Sequence, residues 1–355
     1  MSLFSCRINN SADMAQRAVL IFSVVSGQQN NTGRARGEVA AMRNSRRDFL
    51  QCGAALAAGA MGGVRAAAAE SLAGREIVSQ GSATVRVPTM KFGKVEIGRL
   101  VMGCNPFNGY AHFNASYSSA MRDWYTPERV CAVLHRAASF GINALNFTYK
   151  GHSPEGWTRF IEEGGAMHMI AYDSTDEDPV AVAQRLKPLA LHRQGEVVDV
   201  AWRNGKMDSI RDWCKRARDA GVLVGVATHK PEVIAFIEEQ GWDLDYFAGC
   251  VYNRTRSEPE WRKTLNGELL EMPLEIYLKS DPERMYKVMR QSRKPCFAFK
   301  ILAAGRVQEG GVEQAFRTAF SSLKPIDGVF VGMFPLIRDE VKENAEIVTR
   351  VLAGV

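Results

Sequence analysis

The chain has 355 residues, with 45 Lys plus Arg against 39 Asp plus Glu and a formal net charge of +6. Residues 1–69 hold eight of the basic side chains and three of the acidic ones, which leaves 37 against 36 in the remainder. The basic excess therefore belongs to the start of the chain, and with no basic cluster interleaved with aromatics the rest excludes a nucleic-acid-binding surface.

Residues 1–41 show no periodic apolar pattern and read as an extension outside the working protein, with Met42 as the expected true start. Ser45-Arg46-Arg47-Asp48-Phe49-Leu50 then precedes a weakly apolar Ala/Gly run from Cys52 to Val64, followed by Arg65 and Ala66-Ala67-Ala68-Ala69. Paired arginines, a mild hydrophobic region, a basic residue and small residues at a cleavage point resemble a twin-arginine export signal over 42–69. The resemblance implies the twin-arginine translocation machinery as a partner during export, a mature start near Glu70, and a periplasmic or extracytoplasmic location. The apolar run is too short and too glycine-rich to span a bilayer, so no stable membrane insertion is expected. Residues 70–90 read as a linker.

From residue 91 to the end, eight short apolar segments alternate with stretches of helical period. The expected strands are Arg99–Asn105, Ile142–Thr148, Met167–Asp173, Val197–Arg203, Val222–Thr228, Tyr246–Asn253, Cys296–Leu302 and Gly328–Phe334. Short runs apolar on both faces suit buried parallel strands. The expected helices are Pro127–Ala138, Asp208–Asp219, Pro231–Glu239, Pro282–Gln291, Val312–Ser322 and Arg338–Leu352. Several open on a cap and proline, such as Thr126-Pro127 and Asp178-Pro179, and several close on glycine, such as Gly141, Gly221 and Gly241. Eight units of about 30 residues fit a closed (β/α)8 TIM barrel of ~250 residues, with a doubly wound open sheet as the rival. The five cysteines of this region (Cys104, Cys131, Cys214, Cys250 and Cys296) fall inside regular elements with no CxxC pair. They read as small core residues, not as a disulfide framework or a zinc site.

A barrel places its chemistry at the C-terminal ends of its strands and in the loops that follow. Those ends, read in order, are polar at nearly every station, from Gly103-Cys104-Asn105 through Asn146, Asp173, Arg203, His229 and Asn253 to Lys300 and Gly332. Two long loops should wall the site. Pro106–Tyr125 carries Phe107, Tyr110, His112, Tyr117 and Trp124, and Arg254–Ser280 carries Trp261 and Tyr277. Aromatic faces with polar tips suit a small polar or carbohydrate-like substrate.

Six segments in order resemble the aldo/keto reductase superfamily over residues 91–352. They are Phe92-Gly93 through Met102-Gly103, Gly141-Ile142 through Phe147-Thr148, Gly225-Val226 through Pro231-Glu232, Val251-Tyr252-Asn253, Phe299-Lys300 through Gly305-Arg306, and Val331-Gly332-Met333 with Glu343-Asn344. The resemblance implies carbonyl reduction with NAD or NADP. It also implies a Tyr acid tuned by a Lys that pairs with an Asp, with a His nearby. The matching positions hold other residues: Asn146 for the Asp, Gly151 for the Tyr with Tyr149 and His152 out of register, Asp173 for the Lys, and Asn204 or Arg203 for the His. The family's proton relay is therefore absent as such. The resemblance offers a nicotinamide nucleotide Thr228, Tyr252, Asn253, Lys300, Gly305, Gly332 and Asn344. Glu340 stands where the family has an arginine for the adenosine phosphate, which argues against NADP more than against NAD.

The residues themselves leave a second chemistry open. Asp173, His229 and Lys300, with Arg203, Tyr149 and Asn146 beside them, form a set for acid–base work without a nicotinamide. Each also has a plain structural use: a cap for Asp173, a loop hydrogen bond for His229, an ion pair for Lys300. A metal site is not expected, because no third ligand joins Asp173 and His229 and no HExxH spacing occurs, although His112 and His152 lie in adjacent loops. Three readings follow: an exported aldo/keto-reductase-like enzyme, a non-redox lyase, isomerase or hydrolase using Asp173, His229 and Lys300, and a silent ligand-binding barrel.

Overall fold

The computed structural model describes residues 85–267, 275–306 and 310–354. The expected extension, the export signal and the linker up to residue 84 lie outside the described residues. A hairpin comes first, β1 (Thr89–Phe92) and β2 (Val95–Gly98), paired antiparallel through a turn in which Gly93 has φ +60°. Eight parallel strands follow: β3 (Leu100–Gly103), β4 (Ala144–Phe147), β5 (His168–Asp173), β6 (Ala190–Arg193), β7 (Leu223–Thr228), β8 (Tyr246–Cys250), β9 (Cys296–Phe299) and β10 (Gly328–Gly332). Each pairs with the next, and β10 returns to β3 in the register Val329↔Leu100 to Gly332↔Gly103, so the barrel is closed. The chain is a (β/α)8 barrel.

The helices on its outside comprise the six the sequence predicts, with ends within two residues of those expected, and others it does not. They include α1 (Ala115–Trp124), α2 (Pro127–Ser139), α3 (Ser153–Glu162), α4 (Pro179–Leu186), α5 (Gly195–Arg203), α6 (Met207–Asp219), α7 (Pro231–Glu239), α8 (Glu258–Thr264), α9 (Asp281–Gln291), α10 (Gly311–Ser322) and α11 (Glu340–Ala353). The cap signals work as expected. Thr126 Oγ1 accepts from the Arg129 amide ahead of Pro127, and Asp178 Oδ1 accepts from the Val180 amide ahead of α4. None of the described helices is long and apolar enough to cross a membrane.

One strand assignment is corrected. Val197–Arg203, expected as the fourth strand, lies in α5, and the fourth strand is Ala190–Arg193. Val198 and Ala201 are buried on one face of α5 while Val200 is 44 % exposed, a helical period that a short apolar run conceals. The true strand ends in His192 and Arg193, whose polarity hides it. Both are nonetheless buried, because His192 Nδ1 meets the Tyr246 hydroxyl at 3.0 Å and Arg193 pairs with Asp173. The ordered core also reaches back into the expected linker, since Val87 is buried and its amide donates to the Phe140 carbonyl at 2.9 Å.

Two apolar regions hold the fold. The larger lies between strands and helices; the smaller fills the barrel with Ile97, Val101, Ile170, Tyr246, Phe297 and Phe330 among others. The hairpin supplies Phe92 to this inner core, edge-on to Tyr246 at 5.2 Å and to Phe297 at 5.3 Å. It thereby joins the core filling the barrel, and the described cavity lies at the C-terminal ends of the strands.

Candidate active site

A cavity of about 810 Å³ occupies that mouth, a size suited to a small-molecule ligand. Its floor is the top of the inner core, Phe330 and His192. Burial pushes the His192 imidazole down to about 3, so it is a neutral floor group. Cys104 also lines the cavity, but burial pushes its thiol up to about 12 and removes it as a nucleophile.

The charged part of the wall is built by β7, β8, β9 and the loops after them. His229 directly follows β7, and its Nδ1 lies 2.7 Å from Oδ2 of Asp199 on α5. Both are buried. Burial alone would raise the Asp199 carboxyl, but bonds from His229, Thr228 and Thr255 outweigh it and hold the group below its ordinary value. An ionised carboxylate only accepts, so Nδ1 of His229 carries the proton and Nε2 presents its lone pair. That lone pair accepts from Nη1 of Arg254 at 3.4 Å, a long bond that a substrate proton would replace, and both residues line the cavity. Gly195 lets α5 come this close: a Cβ there would stand 3.1 Å from Cε1 of His229.

Arg254 is itself held by Glu196 at 2.7 Å and by Glu275. Burial opposes ionisation of Glu275, yet the His112 hydrogen bond and the positive fields of Lys300 and Arg254 hold its carboxyl well below the usual range. Glu275 accepts from Nδ1 of His112 at 2.7 Å, while Nε2 of His112 faces the Asn105 amide at 3.2 Å. Burial keeps His112 neutral, which fits both contacts. Arg306 ties the two long loops together: it donates to the carbonyls of His112 (3.0 Å) and Glu275 (3.1 Å) and lies 4.0 Å over the Tyr277 ring.

Lys300 ends β9 and lines the same cavity. Burial pushes its ammonium down to about 8. Arg254 adds to the push, while Cys250, Glu275 and Glu196 act against it. No carboxylate among the described residues lies within 4 Å ion-pair distance of its amine. Its backbone is strained: Lys300, Ala303 and Ala304 have φ of +60°, +48° and +56°, followed by Gly305 at +80°. Non-glycine residues in that region cost about 1–3 kcal/mol each and persist where the surroundings impose them, often at functional sites. The turn is clamped by Ala303 N–H to the Lys300 carbonyl at 2.8 Å and Gly305 N–H to the Leu302 carbonyl at 2.9 Å.

Of the acid–base set, the structure brings His229, Lys300 and Asn146 to the cavity and leaves the others outside its lining. Asp173 is buried beneath the rim, where it accepts from Arg193 at 2.5 Å, Trp213 Nε1 at 3.2 Å and the Thr175 amide at 2.8 Å. Every face of that carboxylate is already used. Tyr149 is 57 % exposed, with the Arg185 guanidinium 5.2 Å from its ring. Arg203 stands at the exposed end of α5, a displacement that follows from the misplaced fourth strand. Asp199, the residue that completes the His229 pair, was missed for the same reason. An acid inside the apolar run Val197-Val198-Asp199-Val200-Ala201 was the available signal, because a buried carboxylate demands a partner.

The cofactor positions divide. Lys300, Gly305, Gly332 and Asn344 line the cavity. Thr228 does not: its hydroxyl donates to Asp199. Tyr252 packs on Tyr277 with ring centres 4.9 Å apart, and Asn253 lies beneath, its amide bonded to Asp281 at 3.1 Å. Thr228, Tyr252 and Asn253, the positions that would hold a nicotinamide ring, are thus outside the cavity lining, while the stretch that would border phosphates is part of it. Glu340 accepts from the Phe334 amide at 2.7 Å, and burial raises its carboxyl.

Among the described residues one cluster of metal-ligating groups occurs, outside this cavity: Cys131, His135 and Glu163 on the helical shell. Glu163 Oε2 accepts from Cys131 Sγ at 3.2 Å and faces His135 Nε2 at 3.2 Å.

No protein-family profile matches the chain, and no curated protein does. Among solved structures, it is similar to a truncated 3-deoxy-D-arabino-heptulosonate 7-phosphate synthase from Thermotoga maritima, at 13% identity over 76% of this chain and 92% of that one, with a TM-score of 0.45. It is similar also to a glycerol dehydrogenase from Gluconobacter oxydans, at 12% identity over 75% and 95%, with a TM-score of 0.39. A third is a nitroalkane oxidase from Streptomyces ansochromogenes, at 15% identity over 61% and 63%, with a TM-score of 0.35. Likenesses this distant leave the reaction to be argued from the site itself.

Proposed function

We propose that the protein is an enzyme of lyase or isomerase type that moves protons on a small polar substrate, with His229 as base and Lys300 as the group that stabilises the electron pair released at carbon. The observation that carries this reading is the presence, in one cavity, of a histidine whose proton is fixed on Nδ1 by Asp199 and an amine with no carboxylate among the described residues at ion-pair distance. His229 then accepts at Nε2, and the Asp199 carboxylate stabilises the imidazolium that results. Arg254, held between Glu196 and Glu275, positions the rim beside that nitrogen. Of the three residues expected to do this work, Asp173 passes its role to Asp199.

The test is proton exchange at carbon. Dihydroxyacetone, hydroxyacetone and pyruvate are incubated with the full chain in deuterated buffer and followed by proton NMR. Catalysed loss of the signal next to a carbonyl, abolished in His229→Gln and retained in Tyr149→Phe, supports the reading. Exchange no faster than buffer for a broad set of polar carbonyl compounds, or equal in His229→Gln, overturns it.

A second reading, an NAD- or NADP-dependent oxidoreductase, is favoured by one observation: Gly305, Gly332 and Asn344 line the cavity. No step is assigned to a nicotinamide, because Thr228, Tyr252 and Asn253 do not face the cavity. Calorimetric binding of NAD(H) or NADP(H) would restore this reading, and its absence would remove it. The twin-arginine reading of residues 42–69 adds that this chemistry takes place outside the cytoplasm.

A further inference from the structure

We propose that Lys300 is a covalent catalyst that forms an imine with the carbonyl of an aldehyde or ketone substrate. The inference rests on the proton-transfer reading above and goes beyond it by naming a nucleophile and a substrate class.

Four observations carry it. Lys300 borders the cavity, and among the described residues no carboxylate sits within ion-pair distance of its amine. Burial and the fixed charge of Arg254 favour the neutral amine against Cys250, Glu275 and Glu196, and the two carboxylates are themselves bonded elsewhere, Glu275 to His112 and Arg254, and Glu196 to Arg254. The left-handed turn from Lys300 to Gly305 fixes the lysine backbone at a cost that a mere filler would not require. His229, a group able to take and return a proton at Nε2, lines the same cavity. An amine freed from its proton by desolvation and a neighbouring cation is the activated form that carbonyl attack needs.

The step balances with one proton drawn from solvent. Lys300 in its neutral form attacks the carbonyl carbon through the nitrogen lone pair, and the C=O π pair moves to oxygen, which takes a proton from solvent. His229 accepts the one proton that nitrogen loses. The protonated imidazole then returns it to the hydroxyl of the carbinolamine, water leaves, and a protonated imine remains on Lys300. The iminium accepts the electron pair released when a proton, or a carbon fragment, departs from the adjacent carbon. Water hydrolyses the imine and restores the amine.

The experiment uses the full chain with dihydroxyacetone, glyceraldehyde or pyruvate, each followed by sodium borohydride, then intact mass and peptide mapping. The expected result is a single reduced adduct on Lys300, at a yield about tenfold or more above that on exposed lysines such as Lys263 and Lys287, since a lowered pKa raises the neutral fraction at pH 7. Lys300→Met and Lys300→Arg should both lose it. Equal labelling of Lys300 and the surface lysines, or undiminished labelling in Lys300→Met, overturns the proposal. If exchange at carbon persists in the parent while borohydride traps nothing at Lys300, the imine falls and the proton-transfer reading stands. If an adduct forms at Lys300 without exchange, the imine stands and that reading falls.

Discussion

Nδ1 of His229 lies 2.7 Å from Oδ2 of Asp199, and both side chains are buried although 30 residues separate them. The pair exists because β7 ends where the first turns of α5 pass it. Asp199→Asn should release the Nδ1 tautomer while the imidazole stays in place. The expected outcome is a mixed-tautomer nitrogen-15 NMR signal for His229 and a loss of at least about 100-fold in any catalysed proton exchange. An unchanged tautomer would show that Asp199 does not set it.

Lys300→Met should stabilise the protein at neutral pH. Burial lowers the Lys300 pKa from 10.5 to about 8, with Arg254 adding and Cys250, Glu275 and Glu196 opposing. Between about 8 and 10.5 the unfolded chain holds more protons than the folded one, so parental stability rises with pH across that window. The penalty is fully present below it. Denaturant titration at pH 7 should therefore find Lys300→Met more stable by about 1–3 kcal/mol, discounted for solvent in the cavity, and the gap should close toward pH 10.5. A gap independent of pH would assign the difference to packing instead.

Asp173→Asn tests the correction at the rim. Removing one partner of the buried Asp173–Arg193 pair leaves an uncompensated charge and should cost about 3–5 kcal/mol. The His229 tautomer should be unchanged, and borohydride trapping at Lys300 should persist at temperatures where the variant is folded. Loss of either in a well-folded variant would return Asp173 to the chemistry.

Gly225→Ala tests the inner core. A Cβ at Gly225 would stand 2.5 to 2.7 Å from three atoms of the Tyr246 ring, which is fixed by His192 and by Phe92 of the hairpin. The ring has nowhere to move, so a loss of about 1–3 kcal/mol is expected in thermal or denaturant unfolding. Wild-type stability would mean that the hairpin yields.

Arg46→Lys with Arg47→Lys tests export. Lysine keeps the charge but not the planar forked hydrogen bonding, so this variant should stay in the cytoplasm with its leader uncleaved. The parent should appear beyond the inner membrane starting near Glu70, and a chain begun at Met42 should behave like the parent. Cell fractionation with N-terminal sequencing decides it; efficient export of the Lys-Lys form would count against a twin-arginine signal.

The sequence by itself determined the architecture, because a barrel repeats a local pattern. Helices such as Pro231–Glu239 announce themselves by a proline at one end and a glycine beyond the other, and strands such as Leu223–Thr228 by short apolar runs. It failed at β6, where two buried polar residues imitate a surface segment and α5 imitates a strand. It also pointed to His229 and Lys300, because each stands at a strand end. Which partner each finds was decided only by the tertiary structure. Asp199 meets His229, Asp173 pairs with Arg193, and Lys300 has no carboxylate among the described residues at ion-pair distance, through contacts between segments far apart in the chain. Burial and the field of neighbouring charges set the chemistry of these groups, and neither is a property of local sequence.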